Sequence, residues 1–263
     1  MNPILEISGL SKDFIPPLSL KKLLKFDFNR PNPVCALKDV SFALEKGRIL
    51  AVLGLNGAGK TTLLKIISGL ILPDQGSVSV NGWRPGVDDE KIKTFIGLTL
   101  SSERSFYWRL TGKQNLEFFA SLYGLDAWQA RARIKELLGF FEVDYQDKRF
   151  DSYSAGMQQI FTLIRSLLHD PALLLLDEPA KSIDYRTALH IRTLIKEKLV
   201  KGRGKTVVFT THNMDEAADF GDRFLILHKG GVLSYGTLGQ MKEKCNNPGA
   251  SLGDIFLKLT GKE

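Results

Sequence analysis

Apolar positions along this chain fall into two periods. Short continuous apolar runs at 49–53 and 173–176 read as buried strands, and 206–209 as a further strand. Val40, Phe42 and Leu44 alternate with polar neighbours, the two-residue period of a strand. Residues 4–14 read as an edge strand, 77–80 and 95–98 as further strands, and a strand pair turns around Lys229-Gly230-Gly231. Helical spacing covers 60–70, 185–200 and 214–220. Thr111-Gly112-Lys113-Gln114 is a capping box that opens a helix to about 123, and Asp126 caps another through 138. Ser154 caps a helix to 168, and Ser251-Leu252-Gly253-Asp254 opens a final one.

Strands that alternate with helices predict an α/β fold with a mainly parallel sheet covered on both faces. The helical block at about 100–168 interrupts that alternation and reads as a subdomain inserted in a single domain spanning 1–263. Residues 15–34 form a second insertion. Pro16, Pro17, Pro31 and Pro33 bracket it, and leucines and lysines at 18–26 recur at the spacing of a short amphipathic helix.

Composition narrows the class. The chain has 263 residues, 43% hydrophobic and 25% charged, as expected of a soluble globular protein. No apolar run approaches the length that spans a bilayer, and Asn2, Glu6, Lys12 and Asp13 interrupt any signal-peptide pattern. Cys35 and Cys245 lie far apart, which implies neither a disulfide framework nor a metal site and suits a reducing cytosol. The net charge of +7 gathers in Lys21, Lys22, Lys25 and Arg30 and again between Lys196 and Lys205. These clusters read as solvated faces or as neighbours of an acidic membrane surface, with no nucleic acid expected.

The most informative chemistry is Gly54-Leu55-Asn56-Gly57-Ala58-Gly59-Lys60-Thr61-Thr62, which follows a strand and opens a helix. This is the pattern of a phosphate-cradling loop. Its glycines let the backbone close around phosphate oxygens, and the helix adds its positive end. Lys60 is expected to reach the β- and γ-phosphates, Thr61 to offer its hydroxyl to Mg²⁺, and Thr62, Asn56, Gly57 and Gly59 to complete the cradle. Downstream, an apolar strand ends in Asp177-Glu178. Asp177 is placed to hold Mg²⁺ or its water shell, and Glu178 to polarise a water as a general base. His212 ends the next strand, on the side of an open α/β sheet where ligands bind. The turn Tyr153-Ser154-Ala155-Gly156-Met157 supplies a second helix start suited to an anion.

In order and spacing these motifs resemble the ATP-binding subunit of an ABC transporter, over essentially the whole chain. The loop 54–61 resembles the Walker A motif of that family. Residues 153–157 resemble its signature, usually Leu-Ser-Gly-Gly-Gln; 173–178 resemble Walker B with its catalytic glutamate. Ser182-Ile183-Asp184 resembles the D-loop, His212 the switch histidine, and Phe14 the aromatic that stacks on adenine. The resemblance implies a P-loop NTPase core with an N-terminal antiparallel β subdomain. It also implies an ATP- and Mg²⁺-dependent ATPase that pairs head to tail with a second copy. Each ATP would lie between Lys60 of one subunit and Ser154 and Gly156 of the other, while an integral membrane permease recruits the pair to the cytoplasmic face of the membrane.

Two departures stand out. Ala155 and Met157 replace a glycine and the glutamine of the signature, with Ser154 and Gly156 kept. No glutamine follows the strand at 95–98, where the family has its Q-loop; Ser101, Ser102 and Glu103 stand there instead. The Tyr-Ser-x-Gly-Met signature, the tail at 251–261 and the 15–34 insertion resemble exporters of drugs, lipids and polysaccharides. Phe106, Tyr107, Trp108 and Arg109 fall where the family receives the permease. Two other readings are a soluble ABC ATPase of translation or repair, and a regulatory subunit with weak hydrolysis.

Overall fold

A computed structural model describes residues 3–16, 32–100, 105–181 and 183–261. The expected helix at 18–26, the Q-loop positions 101–103 and Ser182 therefore lie outside the described residues.

Among the described residues nine strands form two sheets: β1 Leu5–Phe14, β2 Val34–Leu44, β3 Ile49–Leu53, β4 Gln75–Val80, β5 Ile96–Thr99, β6 Leu173–Asp177, β7 Thr206–Thr211, β8 Arg223–His228 and β9 Gly231–Gly236. The larger sheet runs β5-β6-β7-β3-β8-β9, and only β9 is antiparallel to its neighbour. The continuous apolar runs are explained by burial on both faces. Ile49, Ala51 and Leu53 point into one core and Leu50 and Val52 into the other; Leu174 and Leu176 oppose Leu173 and Leu175 in the same way.

The smaller sheet is antiparallel, in the order β2-β1-β4. This corrects one expectation: residues 4–14 are the central strand, and β2 and β4 form the edges. The alternation of buried Leu5 and Ile7 with exposed Glu6 reports one covered face, which says nothing about how many neighbours pair with the strand.

The helices are α1 Lys60–Ile67, α2 Asp89–Phe95, α3 Gly112–Leu122, α4 Ala127–Phe140, α5 Ala155–Leu167, α6 Tyr185–Thr193, α7 Met214–Phe220, α8 Leu238–Lys244 and α9 Leu252–Thr260. The run expected at 185–200 begins as α6 and continues over Leu194–Lys201 with the wider winding of a π-helix. Phe95 closes α2, so the strand expected from that residue begins at Ile96. Among the described residues no helix is long and apolar enough to cross a membrane. Helices α3 and α5 contribute Phe119 and Phe161 to an aromatic cluster in which Phe106 stacks on Phe150 at 4.4 Å and Tyr153 meets Phe161 edge-on at 5.0 Å.

The topology places the chemistry. Strands β6, β7 and β3 are neighbours, and Leu53 pairs with Thr211 as Asp177 pairs with Thr210. Their carboxyl ends thus bring the phosphate loop, Asp177-Glu178 and His212 to one edge of the sheet.

Candidate nucleotide-binding site

The loop between β3 and α1 borders a cavity of about 340 Å³, lined by residues 56–62, by Val34, Cys35 and Ala36 of β2, and by Glu178 and Lys181. Gly59 has φ of +103°, and a Cβ there would lie 2.4 Å from the Ala36 carbonyl oxygen and 2.7 Å from Leu37 Cδ2. Only glycine permits this loop to lie against β2.

Lys60 is 7% exposed, and its Nζ donates to the carbonyl oxygens of Gly54 at 2.7 Å and Leu55 at 3.2 Å. Burial pushes its pKa down, while the Glu178 and Asp177 carboxylates oppose that shift. Such an ammonium, held by carbonyl dipoles at the wall of a glycine cradle, suits the oxygens of a polyphosphate.

A hard-oxygen cluster stands beside it. The Thr61 hydroxyl donates to Asp177 Oδ2 at 3.0 Å, and Thr210 Oγ1 donates to Asp177 Oδ1 at 2.7 Å. Among the described residues no group of three or more His, Cys, Asp or Glu side chains could hold a metal. One carboxylate and one hydroxyl fit a cation that keeps water and substrate oxygens in its shell, the habit of Mg²⁺.

Glu178 follows β6 in a left-handed conformation, φ +47°, and its N–H donates to Thr210 Oγ1 at 2.9 Å. A non-glycine residue in that region is strained, and the neighbouring structure must hold it. The side chain is 10% exposed. Its Oε2 lies 2.8 Å from Lys181 Nζ and its Oε1 accepts from His212 Nδ1 at 3.1 Å. Burial alone would raise the Glu178 pKa; the contacts with Lys181 and His212 outweigh it and hold the carboxyl below its usual range. His212 is 58% exposed, so its imidazole reaches outward from the carboxylate it touches.

The fold therefore brings Asn56, Gly57, Gly59, Lys60, Thr61, Thr62, Asp177, Glu178 and His212 together. Other expected residues lie apart. Phe14 pairs with Val34, a cavity-lining residue, but does not line the cavity itself; Lys12 Nζ sits 5.6 Å from its ring. Ser154 caps α5, accepting from the Met157 N–H at 3.3 Å. Asp184 caps α6, accepting from the Thr187 N–H at 2.9 Å, and a Cβ on Gly156 would meet Thr187 Cγ2 at 3.0 Å. Ser154, Gly156 and Asp184 thus form a second cluster, and none of them lines the cavity at the phosphate loop. Lys181 and the β2 wall were not foreseen. A lysine three residues after Glu178 was a readable signal, whereas contact of β2 with the loop depends on the packing of the two sheets.

Residues 37–181, more than half of the chain, match the protein family described as ABC transporter. The chain is 37% identical over 211 residues to the ABC transporter ATP-binding protein NatA of Bacillus subtilis, covering 80% of this chain and 85% of that one. It is 34% identical over 225 residues to the linearmycin resistance ATP-binding protein LnrL of the same species, covering 85% and 70%. It is also 34% identical over 232 residues to the taurine import ATP-binding protein TauB of Ruegeria pomeroyi, covering 84% of each. Among solved structures, an ATP-binding subunit of an ABC transporter superposes with a TM-score of 0.81 at 29% identity, covering 98% of this chain and 99% of that one. A dimeric ATP-binding cassette in a post-hydrolysis state, bound to ADP and Pi, superposes with a TM-score of 0.75 at 25% identity, covering 89% and 98%. The chain belongs to the ABC transporter family, as one of its ATP-binding and ATP-hydrolysing subunits.

Proposed function

We propose that this subunit hydrolyses ATP with Glu178 as general base to drive export through a separate membrane permease. The observation that carries this reading is the Glu178 carboxylate between Lys181 and His212, beside the Thr61–Asp177 pair. Lys60 leaves its carbonyl partners to bind the β- and γ-phosphates, and the loop N–H groups hold the remaining oxygens. Glu178, kept ionised by its contacts with Lys181 and His212, accepts a proton from the attacking water. His212 fixes the carboxylate on one side and Lys181 on the other. Thr61 and Asp177 would hold Mg²⁺, which would neutralise charge on the phosphate oxygens.

The working unit is a head-to-tail pair in which Ser154 and Gly156 of one copy complete the nucleotide site of the other. The separation of those residues from the phosphate loop within one chain supports this arrangement. ATP favours the closed pair and hydrolysis reopens it, because its affinity for the two states differs. Phe14 stacks on adenine, and Asp184 sits at the seam between copies. Relatives named for resistance and for import share this cassette, so the cassette fold alone does not set direction. The Tyr-Ser-x-Gly-Met signature favours export. The pair sits on the cytoplasmic face of the membrane.

The test is Glu178→Gln. This variant is expected to bind ATP with near-normal affinity and to hydrolyse it about 10²-fold more slowly or worse. Purified from native membranes with ATP, it should bring an integral membrane protein with it. Undiminished turnover removes Glu178 from the base role, and recovery with soluble partners alone removes the transporter.

A further inference from the structure

Behind His212 lies a buried ion pair that the hydrolysis scheme above does not use. Arg192 of α6 and Glu216 in the first turn of α7 are each 9% exposed, with Nη1 and Oε1 3.6 Å apart. That separation exceeds a hydrogen bond, and Glu216 Oε1 makes none. The other oxygen, Oε2, accepts from the Thr211 hydroxyl at 2.6 Å. Thr211 Oγ1 in turn accepts from the Asn213 N–H at 3.1 Å, and Asn213 Oδ1 accepts from the N–H groups of Asp215 and Glu216 at 3.0 Å each. His212 is therefore flanked on both sides by residues pinned to Glu216. Thr211 is also the register partner of Leu53, the last residue before the phosphate loop. Arg192 belongs to the helix that Asp184 caps.

We infer that Arg192 and Glu216 are positioning residues for hydrolysis: they set the backbone around His212, and through it the Glu178 carboxylate, in register with the helix that begins at Asp184. A buried ion pair seldom stabilises a fold more than apolar residues of similar size would. Its contribution here is orientation. Arg192 holds Glu216 by charge, Glu216 holds Thr211 by a short hydrogen bond, and His212 is carried at the position from which it reaches Glu178. The path also gives the seam expected between two copies a mechanical connection to the base, because α6 starts at Asp184. This inference rests on the assignment of Glu178 as base.

The experiment measures steady-state ATP hydrolysis and thermal stability of the full chain in four variants. Arg192→Met strands the Glu216 charge. The double variant Arg192→Met/Glu216→Leu removes both charges and is the form to read if the single variant does not fold. Arg192→Lys keeps the charge. Glu178→Gln serves as control. The double variant is expected to stay folded and to lose about tenfold or more in kcat, with KM for ATP within about twofold of the parent. Arg192→Lys is expected to keep kcat within about threefold. A folded double variant with parental kcat overturns the inference. So does a rise in KM as large as the fall in kcat, which would indicate a loosened nucleotide cavity, and so does failure of the double variant to fold, which would make the pair a stability element. If Glu178→Gln hydrolyses at the parental rate, the base assignment itself is what fails.

Discussion

At the scale of the residue, Glu178 concentrates the chemistry. Its carboxyl pKa lies below the ordinary value because Lys181 and His212 outweigh its burial. A carboxyl depressed on folding adds stability above its unfolded pKa, and that stability is lost as pH falls through the folded pKa. Lys181→Met removes the larger of the two favourable contacts, so the acid limb of kcat/KM should move to higher pH, as a pH–rate profile would record. An unmoved limb would mean that Lys181 does not tune the base. Gly59 gives a second prediction. With a Cβ 2.4 Å from Ala36 O, Gly59→Ala should weaken ATP binding at least about tenfold. Gly57→Ala, with φ +80° and nothing within 4 Å, should meet only the conformational cost, about 1 kcal/mol. Equal affinities of the two variants by calorimetry would show that crowding against β2 is not what requires Gly59. The phosphate loop, Asp177-Glu178 and His212 were legible because each motif follows a strand in sequence. The β2 wall was not, because it depends on how two sheets pack together; Lys181, three residues after Glu178, was a readable local signal.

At the scale of the element, the helix starts were the clearest signals. Thr111 and Ser251 each form the capping box that their sequences predict, and Asp126 caps its helix as expected, in a box completed by Gln129. Thr111→Ala should cost about 1 kcal/mol of stability in a denaturant titration. Helices α2 and α8 went unread, since each buries a single residue, Ile92 or Met241, and so carries no apolar stripe. Thr237 with Gln240 was nonetheless a readable capping box for α8. The loop before α3 is held by buried Asn115, whose side chain accepts from the Tyr107 N–H at 2.7 Å and donates to the Tyr107 carbonyl at 3.0 Å. This bracing leaves Trp108 51% exposed, as suits a docking ring. Trp108→Ala should fold and hydrolyse ATP normally as an isolated chain, yet lose most stimulation of hydrolysis by the permease. Normal stimulation would return Trp108 to the role of a surface side chain.

At the scale of the whole molecule, the two clusters account for each other. One chain offers a phosphate loop beside Glu178 and, outside that cavity, a turn at 154–156 that meets Thr187 in the helix Asp184 caps. Light scattering of Glu178→Gln should show a pair with ATP and single chains without it; a single chain under both conditions would argue against the head-to-tail arrangement. What the sequence determined by itself was local. Apolar period and caps set most of the strands and helices, and motif spacing set the phosphate loop, the acidic strand end and the place of His212, because each of these is written in contiguous residues. The tertiary structure decided everything that depends on lateral neighbours. It made β1 central instead of an edge, since pairing is not encoded in one strand's alternation. It joined Thr61 to Asp177 across 116 residues of chain. It also buried Arg192 against Glu216 behind His212, a contact between two helix faces that no single stretch of sequence contains.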